Sequence, residues 1–278
     1  MNGPRDTRVA VIGAGIMGAG IAGLFASSGY PTTLVDVDEE ALRRATERAK
    51  RHFGSTGDLG VASSLPEAVA SASVVVEAVP ERIELKHEVF SELARHAPHD
   101  ALLVTNTSTI SISRIAEAAD PSRVIGMHFF NPVHRMALVE IVVGDGTSAA
   151  SRDLAVQLVA DLGKKSILVR DSPGFATSRL GIALGNEAMR MLEAGVASAA
   201  DIDVAMRLGY GHPMGPIELA DLVGLDARLN NTRSMFEQTG DAHFAPPAIL
   251  ERLVAAGKLG KKSGAGFYTY PDPDEPRS

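Results

Sequence analysis

The stretch from Val9 to Asp36 limits what this chain can fold into more than any other. A β-branched run leads into a glycine cluster, a helix-like segment follows, and a second apolar run ends in Asp36. Gly13, Gly15 and Gly18 have the spacing G-x-G-x-x-G. In such a turn the first glycine permits a tight bend, the second lets the backbone approach a pyrophosphate, and the third lets helix and strand pack closely. Ile16 and Met17 then open the helix, where free N–H groups can hold negative phosphates. The spacing alone is a weak signal, because glycine-rich turns are common. A strand before it, a helix after it and an acidic residue 18 positions past Gly18 make it a dinucleotide site. The carboxylate of Asp36 would read ribose hydroxyls and repel a 2′-phosphate, which favours NAD over NADP.

The uncharged run from Val9 to Ser28 also has the character of a signal-peptide core or a short membrane span. Its five glycines between Gly13 and Gly23, and the continuation to Asp36, favour strand, turn and helix instead, so no membrane association is expected. The chain has no cysteine, which excludes disulfides, thiolate nucleophiles and cysteine metal sites and fits a cytoplasmic protein. A net charge of −7 argues against a general nucleic-acid surface. His134 lies six residues from His128, but no His or carboxylate spacing suggests a metal.

Strand and helix signals alternate through the first 170 residues. Glu39–Phe53 reads as a charged helix carrying Arg43, Arg44, Arg48, Lys50 and Arg51, a solvated face or a candidate for a phosphate-bearing substrate tail. Gly54, Gly57 and Gly60 read as a flexible connection and Pro66–Ala70 as a short helix. Strands are predicted at Val74–Ala78, Ala101–Val104, Val124–Phe130, Leu138–Val143 and Ser166–Val169, with helices at Ile83–Arg95 and Ala149–Leu162. This alternation predicts an α/β fold, a doubly wound and mostly parallel Rossmann-type sheet spanning residues 1–170. After Asp171-Ser172-Pro173-Gly174 the β signals stop. Helices are predicted at Phe175–Glu193, Ala199–Arg207, Ile217–Val223, Leu225–Glu237 and Pro246–Ala256, so residues 171–278 read as an all-helical domain. The basic, glycine-rich tail from Leu259 to Tyr268 reads as a loop that either anchors the chain or touches a ligand.

Motifs along nearly the whole chain carry a family resemblance. GAGIMGAGIA at Gly13–Ala22, EAVPERIELK at Glu77–Lys86, NTSTISI at Asn106–Ile112 and GMHFFNPVHRMALVEIV at Gly126–Val142 resemble the L-3-hydroxyacyl-CoA dehydrogenase family. So do DSPGF at Asp171–Phe175, GHPMGPIELADLVGLD at Gly211–Asp226 and LGKKSGAGFY at Leu259–Tyr268. The order of motifs is preserved, and the resemblance is strongest to the stand-alone 3-hydroxybutyryl-CoA dehydrogenases. It implies NAD-linked oxidation of a 3-hydroxyacyl thioester to the 3-oxoacyl thioester, in a homodimer formed through the helical domain.

The chemistry of the residues agrees. Hydride transfer needs a base for the hydroxyl proton and a group that fixes the base's tautomer. His128 ends a strand on the carboxyl side of the sheet, where ligands bind in such folds, and Glu140 starts from the neighbouring strand. The resemblance assigns His128 as base and Glu140 as its orienter. It further matches Ser108 and Asn131 to groups contacting substrate oxygen and nicotinamide ribose, and Glu81, Lys86 and Asn106 to the cofactor side. Arg48 and Arg51 are candidates for the substrate's phosphate tail. Two departures stand out. Ser178 occupies the position where the family has Asn before Arg179, and would hold the substrate carbonyl with a shorter donor. The segment between Asp36 and Glu81 is shorter than the family's helical hairpin, which commonly touches CoA. Rivals to a CoA thioester are an acyl carrier protein thioester, a free hydroxyacid, and a catalytically silent NAD-binding protein on the same fold. The β-hydroxyacid dehydrogenases place an acid–base lysine on the long interdomain helix, and Phe175–Glu193 contains no lysine.

Overall fold

A computed structural model of the chain describes residues 6–54 and 56–270. They divide into two compact units, one ending at Phe175 and the other beginning at Ala176.

The first unit contains β1 (Val9–Ile12), α1 (Ile16–Ser27), β2 (Thr32–Val35), α2 (Glu39–Phe53), β3 (Leu59–Ala62) and α3 (Leu65–Val69). It continues through β4 (Val74–Glu77), α4 (Ile83–His96), β5 (Leu102–Thr105) and α5 (Ile112–Ala116). β6 (Val124–Phe129), β7 (Leu138–Val143), α6 (Ala149–Asp161) and β8 (Lys165–Arg170) complete it. The strands form one eight-stranded sheet in the order β3-β2-β1-β4-β5-β6-β7-β8. Every neighbouring pair is parallel except β6 and β7. The doubly wound sheet expected from the alternation is therefore present, with its last two strands reversed.

Successive strand residues point to opposite faces, and the core divides accordingly. Val9, Val11, Val74 and Val76 pack with Ile21, Phe25, Leu42 and Leu158 on one face. Ala10, Ile12 and Val75 pack with Val69, Phe90, Leu93 and Ile115 on the other. Both faces are covered, so β1 and β4 are buried at every position and read as continuous apolar runs rather than alternating ones. The winding direction reverses between β1 and β4, and a crevice opens at the carboxyl ends of strands at such a point.

The second unit holds α7 (Thr177–Glu193), α8 (Ala199–Val204), α9 (Pro216–Val223), α10 (Leu225–Thr239) and α11 (Ala248–Ala255) around Met189, Ile202, Ile217, Leu225, Leu229 and Leu250. Two buried aspartates tie it together. Asp203 accepts the N–H groups of Ile217 (2.8 Å) and Glu218 (2.9 Å) at the start of α9, and the Tyr268 hydroxyl at 2.7 Å. Asp221 accepts the N–H groups of Phe267 (3.0 Å) and Tyr268 (2.9 Å), and the Tyr270 hydroxyl at 3.0 Å. A Cβ on Gly266 would lie 2.1 Å from Asp221 Oδ1, so the tail's glycine lets its backbone close onto this carboxylate. Within its unit the tail is an anchor.

Several elements differ from expectation. The glycine-rich connection after α2 contains β3, which pairs parallel with β2. It is a half-exposed edge strand with Gly60 inside it, so it carries neither an apolar run nor alternation. α5 is five residues long, too short to show a helical period. The helix expected to begin at Phe175 begins at Thr177, since Phe175 has φ 51° and its buried ring packs with the first unit's core. The helix from Ala199 is regular only to Val204 and widens into a π turn over Ala205–Gly209. The tail forms isolated bridges between Gly260 and Ala265 and between Ala265 and Thr269. No helix among the described residues is long and apolar enough to cross a membrane.

Candidate active site

The glycine turn sits at the crevice and has the shape a dinucleotide needs. Gly13 has φ 103°, and a Cβ there would lie 2.7 Å from the Ala78 carbonyl oxygen. A Cβ on Gly18 would lie 1.7 Å from the Gly13 carbonyl oxygen, so α1 could not pack against its own turn. In front of Gly15, by contrast, no atom lies within 4 Å of a Cβ position, which leaves the space an incoming phosphate would take. α1 begins with Gly15 as its N-cap, without a side-chain cap and without an acidic residue in its first turn. Its first N–H groups are thus disposed toward an anion. Gly13, Gly15, Ile16, Met17, Asp36 and Arg48 line the same cleft, of about 830 Å³. Asp36 ends β2 and is fixed by two backbone N–H groups, from Ala14 to Oδ2 (2.7 Å) and from Asp38 to Oδ1 (3.0 Å). The residues present therefore fit NAD.

Arg48 was expected on the substrate's tail. It lines the dinucleotide cleft, on the stripe of α2 formed by Ala41, Arg44, Ala45 and Arg48. Arg51 is exposed and is not among the residues lining that cleft.

The second cluster grows from the antiparallel pair. His128 on β6 is directly opposite Glu140 on β7, so their side chains share one face of the sheet. His128 Nδ1 lies 2.7 Å from Glu140 Oε2. A carboxylate has no proton to give, so Nδ1 carries the hydrogen and Nε2 is the basic nitrogen of the neutral ring. Both residues are buried, and the rings of Phe130 and Phe175 lie 4.4 Å and 6.0 Å from the imidazole centroid. Asn106, expected on the cofactor side, accepts the Phe129 N–H through Oδ1 at 3.0 Å and so holds the end of β6 beside His128. Asn131 is exposed in the loop that follows.

An ionic network joins the β4 and β5 ends. Lys86 is wholly buried, with Nζ 2.7 Å and 2.8 Å from the two oxygens of Glu77 and 3.4 Å from Glu81 Oε2. Glu77 also accepts the Val79 N–H and the Thr105 hydroxyl, each at 2.7 Å. Glu81 Oε1 accepts the Thr107 hydroxyl at 2.6 Å and the N–H groups of Ser108 (2.8 Å) and Thr109 (3.0 Å). Burial pushes the Glu81 carboxyl up, but Lys86 and these donors outweigh it and hold it below its ordinary value. Lys86 was expected to line the cofactor's ribose side. With no exposed surface, its charge is taken up by the two carboxylates it holds. Glu81 in turn fixes the loop that presents Ser108.

Glu77 was missed at the sequence level. Its signal is an acid closing a β-branched run, Val74-Val75-Val76-Glu77, with Lys86 inside the following helix. Ser178 is half-buried in the first turn of α7, in the helical unit. Among the described residues no group of three or more His, Asp or Glu could hold a metal.

Comparison with known proteins covers both units. The family model described as 3-hydroxyacyl-CoA dehydrogenase, NAD binding domain, matches residues 8–172, and that of the C-terminal domain matches residues 174–270. A protein of Mycobacterium tuberculosis named 3-hydroxybutyryl-CoA dehydrogenase is 41% identical, covering 95% of this chain and 98% of that one. The 3-hydroxyadipyl-CoA dehydrogenase of Escherichia coli is also 41% identical, over 94% of this chain but only 58% of that longer protein. The crystal structure of (S)-3-hydroxybutyryl-CoA dehydrogenase from Ralstonia eutropha matches with a TM-score of 0.90 at 34% identity, covering 95% of this chain and 99% of that one.

Proposed function

The chain belongs to the 3-hydroxyacyl-CoA dehydrogenase family, and on that premise we propose that it is an NAD-dependent enzyme oxidising short-chain 3-hydroxyacyl-CoA, such as 3-hydroxybutyryl-CoA, to the 3-oxoacyl-CoA. The observation that carries the catalytic reading is the buried His128–Glu140 pair at 2.7 Å. His128 Nε2 takes the proton of the substrate's 3-hydroxyl as its C–H hydrogen leaves with the electron pair. Glu140 holds the ring in the productive tautomer and stabilises the imidazolium that forms. Bound NAD supplies the hydride acceptor. Gly13, Gly15 and Gly18 with the start of α1 hold its pyrophosphate, and Asp36 reads its adenosine ribose.

Ser108, on the loop pinned by Glu81, and Asn131, just beyond β6, orient the substrate oxygen and the nicotinamide ribose. Ser178 donates to the thioester carbonyl in place of the family's Asn. Exposed apolar residues of the helical unit, among them Leu180, Leu208, Tyr210, Leu222 and Val223, supply the surface of a homodimer.

The test is NADH formation from one 3-hydroxybutyryl group presented on CoA, on an acyl carrier protein and as the free acid, with 3-hydroxyadipyl-CoA as a further arm. The highest kcat/KM is expected for the butyryl-CoA form. A higher value on the carrier protein or the free acid would replace the substrate assignment, and no turnover of any arm would overturn the enzyme reading.

A further inference from the structure

Arg48 occupies an unusual electrostatic position. On α2 its helical neighbours at three and four residues are Arg44, Ala45, Arg51 and His52, so the helix offers it no acidic partner. The other arginines of the first turns are occupied. Arg43 bonds Glu40 and Glu47, and Arg44 lies 3.2 Å from Glu40 and 3.8 Å from Asp38. Among the described residues Arg48 has no hydrogen-bond or ion-pair partner. It is half-buried in a cleft lined mostly by apolar side chains, among them Val37, Ala45, Leu65, Leu85 and Val89, with Asp36, Asp38, Arg44 and Ser63 as its other polar members. A guanidinium that makes no ion pair in such a slot is free to meet an anion or a planar ring.

The cleft also fixes which anion. Arg44 and Arg48 share it with Asp36 and the glycine turn, so the ligand they meet is the adenosine half of the dinucleotide. NAD places hydroxyls there, whereas NADP adds a 2′-phosphate. Resting on the cofactor reading above, we propose that Arg48, flanked by Arg44, forms a latent site for an adenosine 2′-phosphate, kept unused chiefly by the carboxylate of Asp36, with Asp38 beside it on the same cleft. The ion pairs of Arg44 are exposed and weak, so they do not compete strongly with a bound phosphate. NAD preference in this chain is then a balance between the acids at the end of β2 and a basic edge.

The experiment measures binding of ADP-ribose and 2′-phospho-ADP-ribose by calorimetry, so it is independent of thioester turnover. Asp36→Asn keeps the side chain's size and an acceptor for the glycine turn while removing the charge. It should tighten 2′-phospho-ADP-ribose about tenfold or more relative to ADP-ribose, the worth of one charge-assisted hydrogen bond. Adding Arg48→Ala should abolish that gain while changing ADP-ribose affinity less than about twofold, and Arg48→Lys should retain most of it. Equal weakening of both ligands by Arg48→Ala would mean that the guanidinium stacks on adenine, and would overturn the proposal. So would an unchanged 2′-phospho-ADP-ribose affinity. Retained ADP-ribose binding shows that each variant is folded. Failure of the thioester assignment would leave all these affinities where they are.

Discussion

Glu140 in the sheet unit and Asp221 in the helical unit are both wholly buried, yet they face different kinds of donor. Glu140 faces His128, the imidazole proposed as the general base. Glu77 on β4 faces Lys86. Among the described residues, Asp221 and Asp203 accept hydrogen bonds from backbone N–H groups and phenols. Burial alone therefore does not mark a reactive carboxylate. A buried acid against an imidazole or an ammonium group shapes a site, and one against backbone N–H groups and neutral phenols fixes the path of the chain. The distinction also explains the motifs: the tail Leu259–Tyr268 carries glycines because its backbone closes on Asp221.

Removing His128 makes the largest break between the two kinds of centre. His128→Gln should lower kcat about 10²- to 10⁴-fold, the usual worth of a general base, while NADH affinity stays near that of the parent. Glu140→Gln should also slow turnover, since it keeps shape but loses the charge that supports imidazolium. Stopped-flow turnover with NADH binding by fluorescence gives both numbers. Near-full activity in His128→Gln would remove the distinction drawn for the sheet unit.

Asp221→Asn tests the opposite claim and should act on stability. Its amide would turn an N–H group toward donors that now share the carboxylate, leaving one or more of them unsatisfied. Each such group costs about 1–3 kcal/mol. The urea midpoint should fall, and ADP-ribose affinity below the transition should not change. A loss of ADP-ribose affinity with an unchanged midpoint would make Asp221 part of the site rather than part of the frame.

Much of the sheet unit was legible because its signals are local. β-branched runs, a glycine spacing and Asp36 at a fixed distance specify strand, turn and helix without knowledge of the rest. The His128–Glu140 pair was legible only through family resemblance; what the structure adds is that antiparallel β6–β7 register places them face to face. β3 was hidden because an edge strand with one partner needs no apolar alternation. The surroundings of Lys86 and Arg48 were hidden for a related reason. Sequence gives a basic residue on a helix but not which way that side of the helix turns: Lys86 points into the protein and Arg48 into the cofactor cleft. Glu77, Asp203 and Asp221 were passed over because a buried acid shows in sequence only as an interruption of an apolar stretch.

The smallest expected effect is a difference in the pH windows of the two networks. In the sheet unit Glu81 has its carboxyl held below the ordinary 4.5, burial opposing but Lys86 and the Thr107, Ser108 and Thr109 donors prevailing. A depressed acid contributes stability that is present above its unfolded value and is lost as pH falls through its folded one. In the helical unit Tyr268 and Tyr270 are raised above the ordinary 10.0, by burial first and then by hydrogen bonds to Asp203 and Asp221. Their folded state holds the proton more tightly than the unfolded state. That contribution is therefore complete below about pH 10 and declines as pH rises beyond it. Tyr30 in the sheet unit is raised in the same direction by burial and Asp161, so alkaline unfolding of the parent reports both units. Comparing the parent with Tyr268→Phe/Tyr270→Phe isolates the helical unit. Between about pH 8 and pH 11 the parent's urea midpoint should fall further than that of the double variant. The difference should be modest because both phenols keep solvent access. Identical falls in the two proteins would mean that the phenols do not couple the tail to the aspartates, leaving the backbone N–H bonds to Asp221 as the tail's anchor.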